Sequence, residues 1–254
     1  KKSLGQNFLI DKNIIKKISD VYPIKENSEI LEIGPGTGNL TEFLIKKKPR
    51  KIFLIEKDKN LFLELKKKYN NIEIFNNDVL RLPLKKIINE KTIIFGNLPY
   101  NISSQILIKF ILNKEKLPFR ILIFMFQKEL ADRILAQPDT SNYGRLTILT
   151  NWKFTVKKLF DISPNSFYPK PKIQSTLLIF EKKKNFQLFK NPESLGKVTK
   201  IFFNQRRKKI KKQYKILFNN NNEIAQRLNI DLNCRPQNLK PETFYSLTQE
   251  FEKL

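Results

Sequence analysis

Apolar residues along this chain follow two rhythms. Between Asp11 and Val21 they recur at Ile14, Ile15, Ile18 and Val21, the spacing of one helix face, and Asp11 is placed to cap that helix with its carboxylate. Short apolar runs follow at 29–33, 51–55, 72–76, 91–95 and 119–126, each trailed by an amphipathic stretch. Strand then helix, repeated, predicts an α/β fold with a parallel sheet wrapped by helices. The runs at 153–159 and 173–180 are separated by a loop without helical periodicity, which predicts an antiparallel pair closing one edge of the sheet. Beyond Phe180 the texture changes to Lys182-Lys183-Lys184 and then to polar, helix-compatible sequence that ends in a periodic segment from Pro241 to Leu254. A domain boundary is expected near residue 184, with 1–184 forming the sheet domain and 185–254 a small all-helical domain. The run Asn219 to Asn222 reads as a loop between two helices of that tail.

Composition narrows the chemistry. The 254 residues suffice for one sizeable core plus an appendage. Lys and Arg number 49 against 24 Asp and Glu, a formal charge of +25, so polyanions, nucleic acid first, are the expected partners. Codon bias in an AT-rich gene is a second source of lysine, and the charge alone does not separate the two. The chain has no histidine, which excludes Ser-His-Asp catalysis, imidazole bases and His-rich metal sites. A single cysteine, Cys234, cannot form an internal disulfide, and no apolar stretch approaches the ~20 residues of a spanning helix. We expect a protein without bound metal, monomeric, free of membranes and resident in the reducing cytoplasm. Because the sequence opens on Lys1 and not on Met, an organellar targeting segment ahead of it is left open.

The first strand runs into a glycine turn, Glu32-Ile33-Gly34-Pro35-Gly36-Thr37-Gly38. Glycines there permit positive φ and close approach of a ligand to a helix N-terminus. The spacing is not that of a dinucleotide fingerprint, and an acid beside the glycines suits a cationic group better than a pyrophosphate. Two more acids end the next strands. Glu56 is placed to accept the hydroxyls of a ribose, and Asp78, followed by Val79, to accept from an adenine amino group. Singly each acid reads as a solvated loop residue; three in order beside the glycine turn read as a nucleoside site.

The fourth strand leads into Asn97-Leu98-Pro99-Tyr100. An exocyclic amine of adenine is a poor nucleophile because its lone pair is delocalised into the ring. Acceptors that bind both its hydrogens favour the pyramidal, reactive geometry, and the Asn97 side-chain oxygen and the Leu98 carbonyl are suited to that task. Pro99 stiffens the loop, and Tyr100 offers a ring on which an extruded base stacks. Catalysis of this kind is positioning and electrostatics, which the lack of histidine permits. The competing reading is a proline-stiffened turn with Tyr100 in the core.

Taken together, the blocks Leu4 to Leu9, Glu32 to Gly38, Asn97 to Tyr100, Phe126 to Glu129, Asn142 to Leu146 and Pro164 to Lys172 resemble the KsgA family of small-subunit ribosomal RNA adenine dimethyltransferases. The resemblance implies a class I methyltransferase sheet with S-adenosylmethionine as cofactor. It implies that Gln6, Asn7 and Leu9 border the cofactor and that Gly34, Glu56, Asp78 and Asn97 contact it, with Glu32, Gly36 and Val79 beside them. Phe167 is implied as a second aromatic face clamping the adenine opposite Tyr100, although by residue type alone it is equally ordinary loop packing. The implied reaction places four methyls, two on each of two adjacent adenines near the 3' end of small-subunit RNA, during ribosome biogenesis. Lys170 and Lys172 are placed to meet phosphate. Seven of the eleven residues from Gln205 to Lys215 are Lys or Arg, and Arg206, Arg207, Lys208 and Lys209 are read as an RNA-backbone contact on a short helix, against a merely solvated face. The rival readings are a large-subunit adenine methyltransferase of the antibiotic-resistance type and a non-catalytic assembly or transcription factor on the same fold.

Overall fold

The computed structural model describes residues 7–114, 117–219 and 221–254. The chain divides into two compact units. One takes the described residues up to Phe110, those from 117 to Ala131, and Val156–Lys182; the other takes Ile111–Lys114, Asp132–Thr155 and Lys183–Leu254.

A seven-stranded sheet organises the first unit. Its parallel part comprises β2 (Glu29–Ile33), β3 (Lys51–Ile55), β4 (Glu73–Phe75), β5 (Thr92–Asn97) and β6 (Ile121–Gln127), following a two-residue β1 (Phe8–Leu9). The later strands are β7 (Phe154–Ile162), the short β8 (Phe167–Tyr168) and β9 (Ser175–Lys182). Spatial order is β4-β3-β2-β5-β6-β9-β7. All pairs from β4 to β6 are parallel, and β9 runs antiparallel to β6, with Gln127 opposite Ser175 and Ile121 opposite Glu181. The centre reads as continuous apolar sequence because both faces are covered: every residue of β2 is buried. Chain order departs from spatial order at β2, between β3 and β5. That is the switch point at which an open α/β sheet forms its crevice, outside the carboxyl ends of the strands.

The helices around the sheet are α1 (Lys12–Asp20), α2 (Asn39–Lys46), α3 (Lys59–Lys68), α4 (Ser103–Leu112) and α5 (Lys128–Leu135). Asp11 caps α1 as expected, accepting from the amides of Asn13 at 2.9 Å and Ile14 at 3.2 Å. Its second carboxylate oxygen accepts from Ser166 Oγ at 3.3 Å. This contact lies beside the pairing of β1 with β8, where Phe8 faces Tyr168 and Leu9 faces Phe167. That two-stranded sheet was not expected from the sequence.

The second unit is helical apart from the start of β7. It contains α6 (Arg145–Lys153), α7 (Glu193–Phe203), α8 (Lys211–Phe218), α9 (Asn222–Arg227) and α10 (Pro241–Phe251). Phe244 of α10 is fully buried, with the Phe202 ring edge-on at 5.6 Å, and Tyr143 donates from its hydroxyl to the Leu239 carbonyl at 2.8 Å. Arg206 to Lys209 do not form a helix, contrary to expectation. Helix α7 ends at Phe203, and the basic residues occupy the turn before α8. The turn is pinned at its far end, where fully buried Ile210 donates its amide to the Cys234 carbonyl. One apolar anchor among so many lysines cannot supply a helical face.

Replacing Asp11 with alanine removes the α1 cap and the Ser166 contact together. Urea denaturation should show a loss of about 1 kcal/mol in unfolding free energy; an unchanged midpoint would show that neither contact stabilises the fold.

Candidate active site

Three loops at the carboxyl ends of the parallel strands build a cleft, and backbone hydrogen bonds lace them together. Gly34 donates to Ile55 at 3.0 Å, tying the end of β2 to β3. Glu56 donates its amide to Phe75 at 3.0 Å, tying β3 to β4, and Asn76 Nδ2 returns the tie to the Glu56 carbonyl at 3.0 Å. The glycine turn adopts the left-handed region at Gly34, Gly36 and Gly38, with φ of 70°, 58° and 79°. At Gly36 the constraint is doubled, since a Cβ would sit 2.8 Å from the Phe8 ring. The Gly36 amide points instead at the Glu56 carboxylate, donating to Oε2 at 3.2 Å while the Asp58 amide donates to Oε1 at 2.8 Å.

Two cavities meet here and share Gly34, Glu56 and Pro99. The first is lined by Asn7, Phe8, Leu9, Glu32, the glycine turn and Asn97 to Tyr100. The second is lined by Glu56, Asp78, Val79, Asn101, Ile102 and Ile106 among others. The three strand-end acids therefore stand along one continuous cleft.

Their electrostatics differ. Glu32 is 1% exposed and accepts from Thr41 Oγ1 at 2.6 Å. Burial pushes its pKa up to about 7, a rise that Thr41 opposes and the charge of Glu56 reinforces. Burial likewise raises Glu56, partly offset by the amides of Asp58 and Gly36. Among the described residues neither acid is paired with Lys or Arg. Asp78 is different: partial burial raises its pKa, but the Lys57 ammonium at 2.9 Å and the Leu80 amide more than offset that, and it lies below the ordinary value. Two buried acids thus stand at a glycine turn, Glu32 raised by burial and by the charge of Glu56, and Glu56 raised by burial and by the charge of Asp58. They fit a ligand carrying positive charge at one end and a nucleoside at the other.

At the end of β5 the Asn97 side chain donates from Nδ2 to the Asn7 carbonyl at 3.3 Å. This contact fixes the amide's orientation and leaves Oδ1 as its accepting end. A Cβ at Gly96 before it would lie 2.7 Å from Leu98 Cδ2 and 2.9 Å from the Phe124 ring, so a side chain there would require both neighbours to move. Tyr100 is held through its hydroxyl, 2.6 Å from Ser175 Oγ, and burial raises its pKa, so it remains a neutral phenol. The N-terminal segment is tied to the same cleft by Asn39 Nδ2, which donates to the Leu9 carbonyl at 2.7 Å.

The model of the family described as ribosomal RNA adenine dimethylase matches residues 1–253. The chain belongs to this family. A ribosomal RNA small subunit methyltransferase A from Pelagibacter ubique is 52% identical over 256 residues, covering 100% of this chain and 97% of that protein. The crystal structure of a dimethyladenosine transferase from Plasmodium falciparum superposes with a TM-score of 0.79 at 28% identity, covering 97% of this chain and 98% of that one. The 23S rRNA methyltransferase ErmE shares the fold, with a TM-score of 0.68 at 22% identity over 98% of this chain and 100% of that one.

In this adenine dimethylase the cleft gathers Asn7, Leu9, Glu32, Gly34, Gly36, Glu56, Asp78, Val79 and Asn97 to Tyr100. Gln6 lies outside the described residues. Phe167 is not brought into the cleft: it is 2% exposed and packs in the core cluster with Leu9, Met125 and Leu177, three residues that do line it. Its neighbour Tyr168 is the exposed ring, at 70%. Lys170 and Lys172 are exposed on either side of buried Pro171. Arg206 donates to the Thr140 carbonyl at 3.0 Å and to Gln237 at 3.3 Å, so part of its bonding is spent within the protein, whereas Arg207 and Lys208 are exposed. Sequence reasoning missed Phe8, Ile102 and Ile106 as cleft residues. The i, i+4 spacing of the two isoleucines after the Asn-Leu-Pro-Tyr loop was the available signal.

The raised pKa of Glu32 has a definite sign. Between its ordinary value of 4.5 and about 7 the native state binds the extra proton, so its contribution to stability falls as pH rises through that window. Glu32→Gln should therefore stabilise the ligand-free protein above pH 7, by an amount on the order of 3 kcal/mol. A cationic ligand favours the ionised form, so calorimetric affinity for S-adenosylmethionine should rise from pH 6 to 8 in the wild type and stay flat in the variant. Equal pH dependence in both would remove Glu32 from that contact.

Proposed function

We propose that this chain dimethylates N6 of two adjacent adenines near the 3' end of small-subunit ribosomal RNA during ribosome biogenesis. The observation that carries the reading is Asn97, oriented by Asn7 at the end of β5 and opening on the same cavity as Glu32 and Glu56. Full-length similarity to a small-subunit methyltransferase supports the choice of substrate.

When bound, S-adenosylmethionine supplies a methyl group on a positively charged sulfur. Glu56 would receive the ribose hydroxyls, Asp78 the adenine edge, and Glu32 with the glycine turn the methionine end; Gly34, Gly36, Val79, Asn7 and Leu9 would shape the walls. Asn97 Oδ1 and the Leu98 carbonyl would accept hydrogens of the target amine and orient its lone pair for attack. Pro99 fixes the loop, and Tyr100 supports the flipped base on its ring. The methyl–sulfur bond would break as the nitrogen–methyl bond forms, leaving a neutral thioether, and the nitrogen's surplus proton, now acidic, would pass to solvent water, so no strong base is required. Phe167, buried in the core cluster, is given no stacking role.

RNA is held by charge. Lys170 and Lys172 stand beside the β8 strand, and Arg207 and Lys208 project from the turn before α8, with Lys209 and Arg206 more restrained. We assign residues 185–254 to RNA binding as a helical domain, and the enzyme to the cytoplasm as a monomer that meets the immature small subunit there. No helix among the described residues is long and apolar enough to cross a membrane.

Incubation of the protein with methyl-labelled donor and immature small subunits should yield N6,N6-dimethyladenosine at two neighbouring positions by mass analysis of the RNA. Labelling confined to large-subunit RNA, or none, would overturn the assignment. Asn97→Ala should lower turnover by at least about a hundredfold while RNA affinity holds; full activity in that variant would remove Asn97 from its role.

A further inference from the structure

The loop that follows β4 carries Asp78 and Val79 to the cleft, and it is held from behind. Within the loop, the Leu80 amide donates to Asp78 Oδ1 at 2.9 Å, and the amides of Arg81 and Leu82 donate to the Asp78 carbonyl at 2.9 and 3.1 Å. This winding turns the carbonyls of Val79, Leu80 and Leu82 toward one point. Lys109 of α4 fills that point: its Nζ donates to the three oxygens at 2.8, 2.9 and 2.8 Å. An ammonium has three hydrogens, and all three are used.

The placement follows from helix periodicity. Ile102, just before α4, with Ile106 and Lys109 on it, falls at i, i+4 and i+7 on one face, and the two isoleucines line the same cavity as Asp78 and Val79. One helical face thus supplies an apolar wall of the cleft and, one turn further, the cation that fixes the opposite loop. We infer that Lys109 is a positioning residue for the cofactor's nucleoside end, holding Asp78 and Val79 in register with the wall formed by Ile102 and Ile106. This inference rests on the cleft being the donor site. The site is dear to keep charged: burial draws the Lys109 pKa down, opposed by the nearby Asp78 carboxylate. A neutral side chain of similar length would leave three carbonyls without their shared donor, and a loop with unpaired carbonyls rearranges to find others.

Lys109 itself does not line the cleft among the described residues, so its loss should act on binding and spare the chemistry. Lys109→Met should weaken S-adenosylmethionine binding about tenfold by calorimetry and raise its KM to match, while kcat at saturating donor stays within about twofold of the wild type. Lys109→Arg, which keeps the charge and its donors, should recover most of the affinity. In a double-mutant cycle with Asp78→Ala, the two losses should be less than additive, because both act through the same loop. Should Lys109→Met fail to fold, Lys109→Gln, with two donors, carries the same measurement. Wild-type affinity in Lys109→Met or Lys109→Gln, a fall in kcat without a change in KM, or strict additivity with Asp78→Ala would each overturn the inference. Failure of the wild type itself to bind the donor would instead sink the proposed function.

Discussion

The hydrogen bond from the Gly36 amide to the Glu56 carboxylate is the contact on which the site depends. It joins the turn after β2 to the end of β3 across the switch point of the sheet, and it is possible only because residue 36 has no side chain to collide with Phe8. Everything else in the cleft is measured from it. Glu32 lies behind the turn, Asp78 lies one strand beyond Glu56, and Asn97 lies on the other side of β2. A parallel sheet brings these four residues, spread over 66 positions of sequence from 32 to 97, to one rim because every strand points the same way.

The charge distribution has two scales with opposite sign. The chain as a whole carries +25, a field that gathers RNA without regard to sequence. Inside the cleft the side chains are acidic, with Glu32 raised by burial and by the charge of Glu56, and Glu56 raised by burial and by the charge of Asp58. Positive charge over the surface and acidic side chains in the cavity suit two different ligands, a polyanion outside and, on the proposed reading of the cleft, a cationic methyl donor within. On that reading, a cation bound beside Glu32 would relieve the cost of ionising it.

Much of this was legible in the sequence, and for a physical reason. The strands of the parallel core, the glycine turn and the strand-end acids are local features, readable from periodicity and from the residue that ends each run. The cap at Asp11 and the antiparallel return of β9 beside β6 followed the same rules. What could not be read depends on contacts between distant segments. The pairing of β1 with β8 involves two residues on each side, too few for any alternation to register, yet it accounts for the burial of Phe167 against Leu9. The basic run at Arg206 to Lys209 looked helical because charge density carries no information on backbone shape; its turn is set by Ile210 and Cys234, which only the folded chain brings together. Lys109 gave no sign at all, since an isolated lysine on a helix reads as solvated until the three carbonyls in front of it are seen.

The most direct test of the account is a crystal structure of the protein with S-adenosylhomocysteine. The ribose hydroxyls should lie on the Glu56 carboxylate, the adenine edge at Asp78 and Val79, and the amino-acid end at the glycine turn beside Glu32, with Asn97 still tied to the Asn7 carbonyl. A ligand bound away from the ends of β2, β3 and β5, or a Glu56 carboxylate that touches only the amides of Gly36 and Asp58, would contradict it.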